Sequence, residues 1–400
     1  MKRTWFPKVL LGSFLALLVL LGVATSLALA GELDGIRGAI KGKGAKWTAG
    51  ETSVSKLPGH LRQLRAALHK PEATGAEEML AGPAPTALPD SFDWRNDNTV
   101  NYVTPVRDQG NCGSCWAFAT TGALECYVLR KDNLPGQDKD CAEQILVSCS
   151  GAGSCSGGYI DRASNYIRDV GLPLETCYPY TQTNGTCKNA CSDYQVNTYF
   201  IGSWAYVATL SPTVDAIKNA LYTYGPLVTT MNVYTDFFYY QSGVYSYTYG
   251  KLEGGHAILI IGYNDADQYF IVKNSWGIGW GEGGFFRIAY SQLTSQVQFG
   301  DWTIAYQRSA PAPCTYSISP TRQNFPGKGG SGTVSVSTGA SCSWTVTNNA
   351  SGWLTITSGA SGGTGSGQVA YQVAPNTTGA TRVGTINIAD QTFTVTQRKK

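Results

Sequence analysis

The spacing of apolar positions changes along the chain, and each spacing predicts a different kind of element. Residues 115–129 and 142–149 carry apolar side chains in patterns that predict helices. Short apolar runs between turn residues, at 257–263, 269–272 and 285–288, predict buried strands. Residues 88–309 form the predicted globular body. The predicted helices lie in its first half, which carries the cysteines, and the predicted strands lie in its second half, which is rich in Tyr, Val, Ile and Gly. We therefore expect a helical lobe beside a sheet-rich lobe, with a cleft between them.

A different pattern follows the Ala-Pro linker at residues 310–313. Alternating Thr, Val and Ser segments, separated by Gly and Asn, predict a small all-β, immunoglobulin-like sandwich. Its predicted strands are residues 332–337, 344–347, 353–357, 368–373, 383–388 and 392–396.

The N-terminal 30 residues combine a basic start with a long apolar run and end in Ala28-Leu29-Ala30. This order is typical of a secretory signal peptide with small residues at the cleavage positions. The run is also long enough to span a bilayer, so an uncleaved membrane anchor is the alternative. We expect cleavage and a secreted, periplasmic or extracellular protein, with membrane contact only if the segment stays attached.

Residues 31–87 differ again in composition, because Gly, Ala and Lys dominate and cysteine is absent. Leucines at helical spacing in residues 60–68 predict a short amphipathic helix, and residues 82–85 break regular structure. Two interpretations stay open: a disordered spacer, or a propeptide removed by processing between residues 87 and 90.

Charge and cysteine content restrict the class of protein. The formal net charge is +3 and few residues are charged, so the composition does not indicate a nucleic-acid-binding surface. Eleven cysteines suit an oxidising compartment, and their odd number predicts five disulfides and one free thiol.

The candidate chemistry centres on residues 109–119, Gln-Gly-Asn-Cys-Gly-Ser-Cys-Trp-Ala-Phe-Ala. Cys115 lies where the predicted helix begins, and the positive end of a helix dipole stabilises a thiolate, the nucleophilic form of cysteine. Such a nucleophile needs a base. Of the three histidines, His60 and His69 precede the predicted globular body, which leaves His256.

Cys112 and Cys115 are also spaced as in a redox pair or in half of a zinc site. No second Cys-x-x-Cys follows to complete a four-cysteine zinc site. Gln109 and Asn111 have no evident role in a redox loop, so the neighbours favour a nucleophile.

Residues 109–119 resemble the active-site segment of the papain-like cysteine proteases, whose signature contains Cys-Gly-Ser-Cys-Trp. Further motifs follow in the order of that family, at residues 88–95, 103–107, 143–149, 155–159, 178–180, 255–257 and 273–277. The resemblance covers residues 88–309. It implies an α+β, papain-like two-lobe fold, with a helical lobe and a β-barrel-like lobe.

The resemblance also implies roles for individual residues. Cys115 would attack the peptide carbonyl, His256 would hold it as a thiolate–imidazolium pair, and Asn274 would orient the imidazole. The Gln109 side chain and the backbone N–H of Cys115 would bind the oxyanion, and Trp276 would shield the His256–Asn274 hydrogen bond. Each of these residue types alone more often serves a core or a turn, and their joint occurrence favours catalysis.

Substrate contacts follow from the same resemblance. Gly157 and Gly158 resemble the backbone edge on which an extended substrate pairs. A pocket lined by Ile160 and Ala257 would accept an apolar or aromatic side chain two residues before the cut, whereas Asp161 is a rim charge or plain surface. The predicted substrate-binding residues are Gly157, Gly158, Tyr159, Ile160, Ala257 and Trp276.

Residues 310–400 resemble the BACON-type module of secreted hydrolases. The matching segments are residues 314–318, 342–344, 351–354 and 393–397. Such modules are proposed to bind carbohydrate or mucin-like glycoprotein. Trp344 and Trp353 could stack on sugars, but core packing is the more frequent role of a tryptophan. A plain spacer is the simplest alternative.

Disulfide pairings are implied rather than read from the sequence. The protease resemblance pairs Cys112 with Cys155 and Cys149 with Cys187, and the C-terminal resemblance suggests Cys314 with Cys342. The pairings left over, Cys126–Cys141 and Cys177–Cys191, are guesses.

These observations predict a secreted papain-like cysteine endopeptidase, made as a precursor, that acts through a thioester acyl-enzyme. Its domains would be residues 1–30, 31–87, 88–309 and 310–400. We expect a monomer without metal or organic cofactor that acts on proteins or peptides, with glycans or glycoproteins as candidate partners of the last domain. The alternatives are an exopeptidase or transpeptidase on the same scaffold, and a glycan- or surface-binding adhesion protein whose peptidase domain is secondary.

Overall fold

The computed structural model describes residues 31–71, 79–80, 87–308, 315–338 and 342–400. The predicted signal peptide, the break at residues 82–85 and the linker at 310–313 lie outside these ranges. The chain divides between residues 308 and 309 into two compact units, which are described separately. Within the described ranges, none of the helices combines the length and the apolar character that a membrane span requires.

The helices of the described residues belong to the first unit. They are α1 (residues 31–43), α2 (Gly59–Leu64), α3 (Cys115–Lys131), α4 (Glu143–Cys149), α5 (Ile160–Asp169) and α6 (Val214–Tyr224), with 3₁₀ turns at Glu175–Cys177, Cys187–Asn189, Thr235–Tyr239 and Tyr290–Leu293. The predicted α3 and α4 are confirmed. The sequence analysis missed α5, although its buried residues Ile160, Ala163, Ser164 and Ile167 follow helical spacing.

A large sheet forms the rest of the first unit. Its described strands are β1 (Trp47–Ala49), β2 (Ser91–Asp93), β5 (Ser203–Ala208), β6 (Leu227–Tyr234), β7 (Tyr240–Tyr245), β8 (Leu252–Asn264), β9 (Tyr269–Lys273), β10 (Phe285–Ala289) and β11 (Asp301–Gln307), and β3 (Gly153–Ser154) pairs separately with β4 (Gly157–Gly158). The order is β1-β7-β10-β9-β8-β6-β11-β5, with β2 on β8. The three predicted strands are confirmed as parts of β8, β9 and β10.

Helix α3 joins the two lobes of this unit. All of its residues from Cys115 to Leu129 are buried, as expected of a helix that is covered on every side. It packs against α4 and α5 on the helical side and against β8 and β6 on the sheet side. The N-terminus of α3 therefore lies where the two lobes meet, so the expected helical lobe beside a sheet-rich lobe is confirmed.

Residues 31–71 are part of this unit's core, so the interpretation as a disordered spacer is wrong for them. Ile36, Trp47 and Val54 are buried in the same hydrophobic cluster as the helices and the sheet. Strand β1 pairs antiparallel with β7. The predicted helix over residues 60–68 is shorter than expected. The backbone N–H groups of Leu68 and His69 donate to Gly255 and Gly158 instead of continuing the helix.

The second unit is the expected small β-sandwich. Its strands are β12 (Ser317–Ser319), β13 (Arg322–Phe325), β14 (Gly330–Ser337), β15 (Ser343–Trp344), β16 (Val346–Asn348), β17 (Leu354–Ser358), β18 (Gly363–Thr364), β19 (Gly367–Val373), β20 (Arg382–Ile388) and β21 (Gln391–Gln397). Two four-stranded sheets, β12-β14-β19-β17 and β13-β21-β20-β16, enclose a core of alternating apolar residues. The predicted strand at 344–347 is split between β15 and β16.

The two pairings that the protease resemblance implies are confirmed, and so is one of the two guessed pairings, Cys177–Cys191. The bonds among the described residues are Cys112–Cys155, Cys149–Cys187 and Cys177–Cys191. Cys342 is also disulfide-bonded, and Cys314 lies outside the described residues.

The pairing of Cys126 with Cys141 is wrong, because both thiols are free and buried. Glu125 of α3 accepts a hydrogen bond from the Cys141 backbone N–H at 3.0 Å. The next side chain along a helix points about 100° away, so Cys126 is directed elsewhere. The expected total of five bridges and one free thiol is therefore also wrong.

Candidate active site

Cys115 is the first residue of α3 and is fully buried. The backbone amides of Trp116 and Ala257 form hydrogen bonds that favour its thiolate. Cys112, the alternative partner in a redox pair or zinc site, is bonded to Cys155 instead. The Cys115 thiol is therefore free for other chemistry.

The pairing of β8 with β9 brings His256 and Asn274 together. Leu259 lies opposite Lys273 at the end of β9, so the next residue, Asn274, reaches back towards His256. The His256 Nε2 and Asn274 Oδ1 atoms are 2.7 Å apart. The other ring nitrogen of His256, Nδ1, is buried without a hydrogen-bond partner among the described residues. Within the described part of the chain, His256 Nδ1 is therefore not engaged in another hydrogen bond and could exchange a proton with a nucleophile.

Trp276 covers this hydrogen bond. Its ring centroid lies 4.7 Å from that of His256, with the two planes at 33°. Trp276 is fully buried and packs against Phe238 and Trp280. Exclusion of water strengthens the polar contact beneath it.

Gln109 is held in a fixed orientation beside α3. Its Oε1 accepts a hydrogen bond from Ser275 Oγ at 2.8 Å, and its Nε2 donates to Cys112 O at 3.0 Å. Tyr180 donates from its hydroxyl to Gln109 O at 2.8 Å. The sequence analysis did not identify the positioning contacts of Ser275 and Tyr180, which depend on long-range folding.

Gly157 and Gly158 form the short strand β4 against Trp116. A Cβ atom on Gly158 would lie 2.4 Å from the Trp116 ring, so this position requires glycine. Gly157 has a φ of +125°, which also favours glycine. Ile160 and Ala257 are buried, whereas Tyr159 is partly exposed. Residues 157–160 of the predicted substrate-binding set are thus consecutive in the chain, and the Ala257 backbone forms a hydrogen bond with the Cys115 sulfur.

Two family profiles match the chain. The one described as papain family cysteine protease matches residues 88–304, which is more than half of the chain. The chain belongs to the papain family of cysteine proteases. The second profile, described as viral BACON domain, matches residues 315–399, the sandwich of this protease.

Relatives and solved structures agree with this assignment. The protease is 41% identical over 223 residues to cathepsin B-like CP3 of Giardia intestinalis, covering 51% of this chain and 70% of the relative. It is 39% identical over 209 residues to the cathepsin L-like proteinase of Fasciola hepatica, covering 51% and 61%. Procathepsin L2 proteinase from Tenebrio molitor larval midgut matches with a TM-score of 0.58 at 25% identity, over 76% of this chain and 95% of that one. The protease is thus a cysteine-type endopeptidase with a papain-like fold.

The protease carries its own N-terminal residues across the predicted catalytic site. We call residues 64–70 the cleft segment. Ala67 forms a β-bridge with Gly255, and its backbone forms a hydrogen bond with the Cys115 sulfur. A Cβ atom on Gly254 would lie 2.0 Å from Ala66 O, so the approach is close. The cleft segment therefore covers Cys115.

The rest of the cleft segment pairs with β8 at Gly255 and with the predicted substrate edge at Gly158. Leu68 donates from its backbone N–H to Gly255 O at 3.0 Å, and His69 donates to Gly158 O at 3.1 Å. The His69 ring packs edge-on against Tyr159, with centroids 5.2 Å apart. His69 was excluded as a base from its position in the sequence, yet it lies in the same cleft.

Burial under the cleft segment affects the charge of both catalytic candidates. Burial raises the pKa of the Cys115 thiol to about 11. Burial also lowers the pKa of the His256 imidazole to about 4, although the hydrogen bond to Asn274 raises it. Desolvation disfavours the charged forms. At neutral pH the covered site therefore holds a neutral thiol and a neutral imidazole.

A buried charged group behind the site was not identified from the sequence. Lys273 donates from Nζ to Thr104 Oγ1 at 2.9 Å, and Thr104 donates to Glu125. Burial raises the pKa of the Glu125 carboxyl to about 7, although the positive charge of Lys273 lowers it. Glu125 belongs to the helix of Cys115, and Lys273 precedes Asn274. The group therefore ties together the two elements that carry these residues. A Glu and a Lys inside apolar segments are the signal that could have revealed it.

Proposed function

We propose that this protease is a secreted endopeptidase, made as an inactive precursor, that cleaves peptide bonds with Cys115, His256 and Asn274. The observation that carries the proposal is the 2.7 Å contact between His256 Nε2 and Asn274 Oδ1, shielded by Trp276. This contact orients the ring and leaves Nδ1 for the proton of the nucleophile. Disulfides within the peptidase unit support an oxidising, extracellular location.

The reaction would proceed in two steps. The Cys115 thiolate attacks the scissile carbonyl carbon, and the oxyanion accepts hydrogen bonds from Gln109 Nε2 and the Cys115 backbone N–H. The imidazolium of His256 then protonates the leaving amine, and a thioester remains on Cys115. Water attacks the thioester while His256 takes its proton, which releases the new carboxyl end and the free thiol.

The direction of the cleft segment explains how the precursor avoids cutting itself there. A substrate would run from Gly158, at the residue two before the cut, past Cys115 and onwards. The cleft segment runs the other way, because Leu64 lies beside Gln109 and His69 beside Gly158. Its peptide bonds therefore cross the site in the orientation opposite to that of a substrate.

A preference for an apolar residue two before the cut is supported by the same contacts. Leu68 is buried where the cleft segment pairs with Gly255. Ile160 and Ala257 are buried apolar residues without a charge of their own. A leucine or aromatic side chain would gain about 1.5–3 kcal/mol from burial there.

The test is hydrolysis of dipeptidyl fluorogenic substrates with a hydrophobic penultimate residue, under mild reducing conditions. The wild-type protein, trimmed near Pro89, is compared with Cys115→Ala, and an epoxide thiol inhibitor is the chemical control. We expect activity that is lost in the variant and with the inhibitor. Absence of activity in the trimmed wild type, or full activity of Cys115→Ala, would overturn the proposal.

An adhesive role for the sandwich is not favoured by its described residues. Trp344 is buried and donates from Nε1 to Gly365 O at 2.8 Å. The Arg382 guanidinium lies 4.3 Å from the ring centroid of Trp353 and covers one of its faces. Trp353 also packs against the core of the sandwich, so packing accounts for both tryptophans and we propose no second function.

A further inference from the structure

We propose that Asp108 makes this protease prefer an arginine or lysine among the first two residues after the cut. In the precursor, the cleft segment occupies that position with Arg65. The inference rests on the proposed function, because it takes Gly158 as the contact of the residue two before the cut.

The first step is the location of Asp108. Residues 107–109 run beside residues 275–277, since Gln109 donates from its backbone N–H to Ser275 O at 2.9 Å and Gly277 donates to Arg107 O at 3.1 Å. Asp108 therefore lies beside Trp276, with which it forms a β-bridge.

The second step is the order of contacts along the cleft segment. His69 contacts Gly158, Ala67 contacts Cys115, and Arg65 contacts Asp108. Gly158 and Asp108 thus lie at opposite ends of the covered site, with the nucleophile between them. An extended substrate whose earlier residues pair at Gly158 must carry its residues after the cut towards Asp108.

The third step is the state of Arg65 in the precursor. Its side chain is only 7% exposed, and its guanidinium forms an ion pair with Asp108. A buried guanidinium is costly unless it is paired. The cleft segment therefore brings a cation to this position, where the protein provides an anion.

The fourth step is that Asp108 is held in place by the protein body. Its Oδ1 accepts a hydrogen bond from the Gly110 backbone N–H at 2.9 Å. Its Oδ2 lies close to Gly277, where an added Cβ atom would be 3.0 Å away. A carboxylate fixed by backbone contacts keeps its position when its partner leaves, which favours binding of a new partner.

The fifth step is the lack of another partner. Among the described residues, Arg65 is the cation in an ion pair with Asp108. The adjacent Arg107 pairs with Asp138 and Asp140 instead. The Asp108 side chain is 50% exposed even with Arg65 present. Removal of the cleft segment therefore exposes a fixed, unpaired carboxylate just beyond the nucleophile, and a basic substrate side chain would replace Arg65.

The experiment uses the trimmed protease and a set of internally quenched peptides. All peptides have leucine two residues before the cut, and they carry Arg, Gln or Glu at the first or the second position after it. We expect kcat/KM for the Arg peptide to exceed that for the Gln peptide by about five-fold at one of the two positions, and the Glu peptide to be slowest. Equal values for Arg and Gln at both positions would overturn the inference.

The Asp108→Asn variant tests whether this residue is the cause. Asparagine keeps an acceptor for the Gly110 N–H but removes the charge, so the Arg-to-Gln ratio should fall to about one. The matched control is Asp161→Asn at the start of α5, on the side of Gly158, which should keep the wild-type ratio. A ratio that persists in Asp108→Asn would contradict the inference.

A second measurement keeps the inference testable if Asp108→Asn does not fold. In the wild type, the Arg-to-Gln ratio should decrease as NaCl is raised from 0.02 to 0.5 M, because salt screens exposed charges. A ratio that is independent of salt would contradict an electrostatic origin. Cleavage of the Gln peptide by wild type but not by Cys115→Ala separates this result from the proposed function, which stands whenever that cleavage occurs.

Discussion

Cys115 and His256 are both neutral where the structure buries them, and this determines the reactivity of the precursor. Burial raises the thiol pKa to about 11 and lowers the imidazole pKa to about 4. The helix N-terminus and the backbone amides of Trp116 and Ala257 act in the opposite direction. Removal of the cleft segment restores water and leaves these stabilising groups in place. The same residues should therefore change from an inert pair to a reactive one.

This change can be measured by alkylation with iodoacetamide. A thiol with a raised pKa contains less thiolate at every pH below that pKa, so the precursor should react slowly at pH 7 and faster as the pH approaches about 11. The trimmed protease should react at least about 100-fold faster at pH 7, since activated thiols have pKa values of about 7.5 or lower. Subtraction of the rate in Cys115→Ala removes the contribution of Cys126 and Cys141. Equal rates at pH 7 before and after trimming would contradict this account.

The cleft segment is held in place both by the elements that precede it and by side-chain contacts of its own. Before it, β1 pairs with β7 and α1 is packed into the core. Within it, Arg65 pairs with Asp108, and Lys70 donates from Nζ to Gln298 Oε1 at 2.9 Å. The position of the cleft segment thus depends on a few polar contacts over the site and on the apolar packing of β1 and α1 further away.

Removal of one polar contact should loosen the segment without unfolding it. The Arg65→Gln precursor loses the ion pair with Asp108 and should be processed several-fold faster than the wild type. Activation is followed by the appearance of peptidase activity after the pH is lowered or a trace of mature protease is added. The control is Lys56→Gln, whose ion pair with Glu51 is mostly exposed and should contribute little. Unchanged processing of Arg65→Gln would show that the ion pair with Asp108 does not hold the cleft segment in place.

The whole chain consists of two units with separate hydrophobic cores. The core of the first unit contains the helices, the sheet and residues 31–71, and the core of the sandwich shares no residue with it. The proposed catalytic residues all lie in the first unit. Small domains with their own cores fold independently.

A chain that ends at residue 308 should therefore fold and mature normally. Its kcat/KM for a dipeptidyl substrate should stay within about two-fold of the full-length value, because the sandwich supplies none of the proposed catalytic residues. Thermal unfolding of residues 309–400 alone, which keep Cys314 and Cys342 together, should show a cooperative transition. A large loss of peptidase activity in the shortened chain would contradict this separation.

Several features could be predicted from the sequence because their signals are local. The Gln109 to Ala119 segment, the single histidine of the body at His256 and the ordered later motifs identify the family and its candidate residues. The strands of the sandwich could be predicted because apolar and polar residues alternate along them with a period of two. Features that depend on distant contacts were missed or wrong. Examples are the Lys273–Thr104–Glu125 group and the unpaired thiols of Cys126 and Cys141.

The sequence by itself determined the kinds of residue available for chemistry and the two types of fold, because periodicity and motif spacing are properties of neighbouring positions. Only the tertiary structure decided that residues 31–71 join the core and that the cleft segment crosses Cys115. It also decided that Arg65 meets Asp108. These outcomes depend on contacts between residues far apart in the chain. Their free energies come from burial and pairing, which no local pattern encodes.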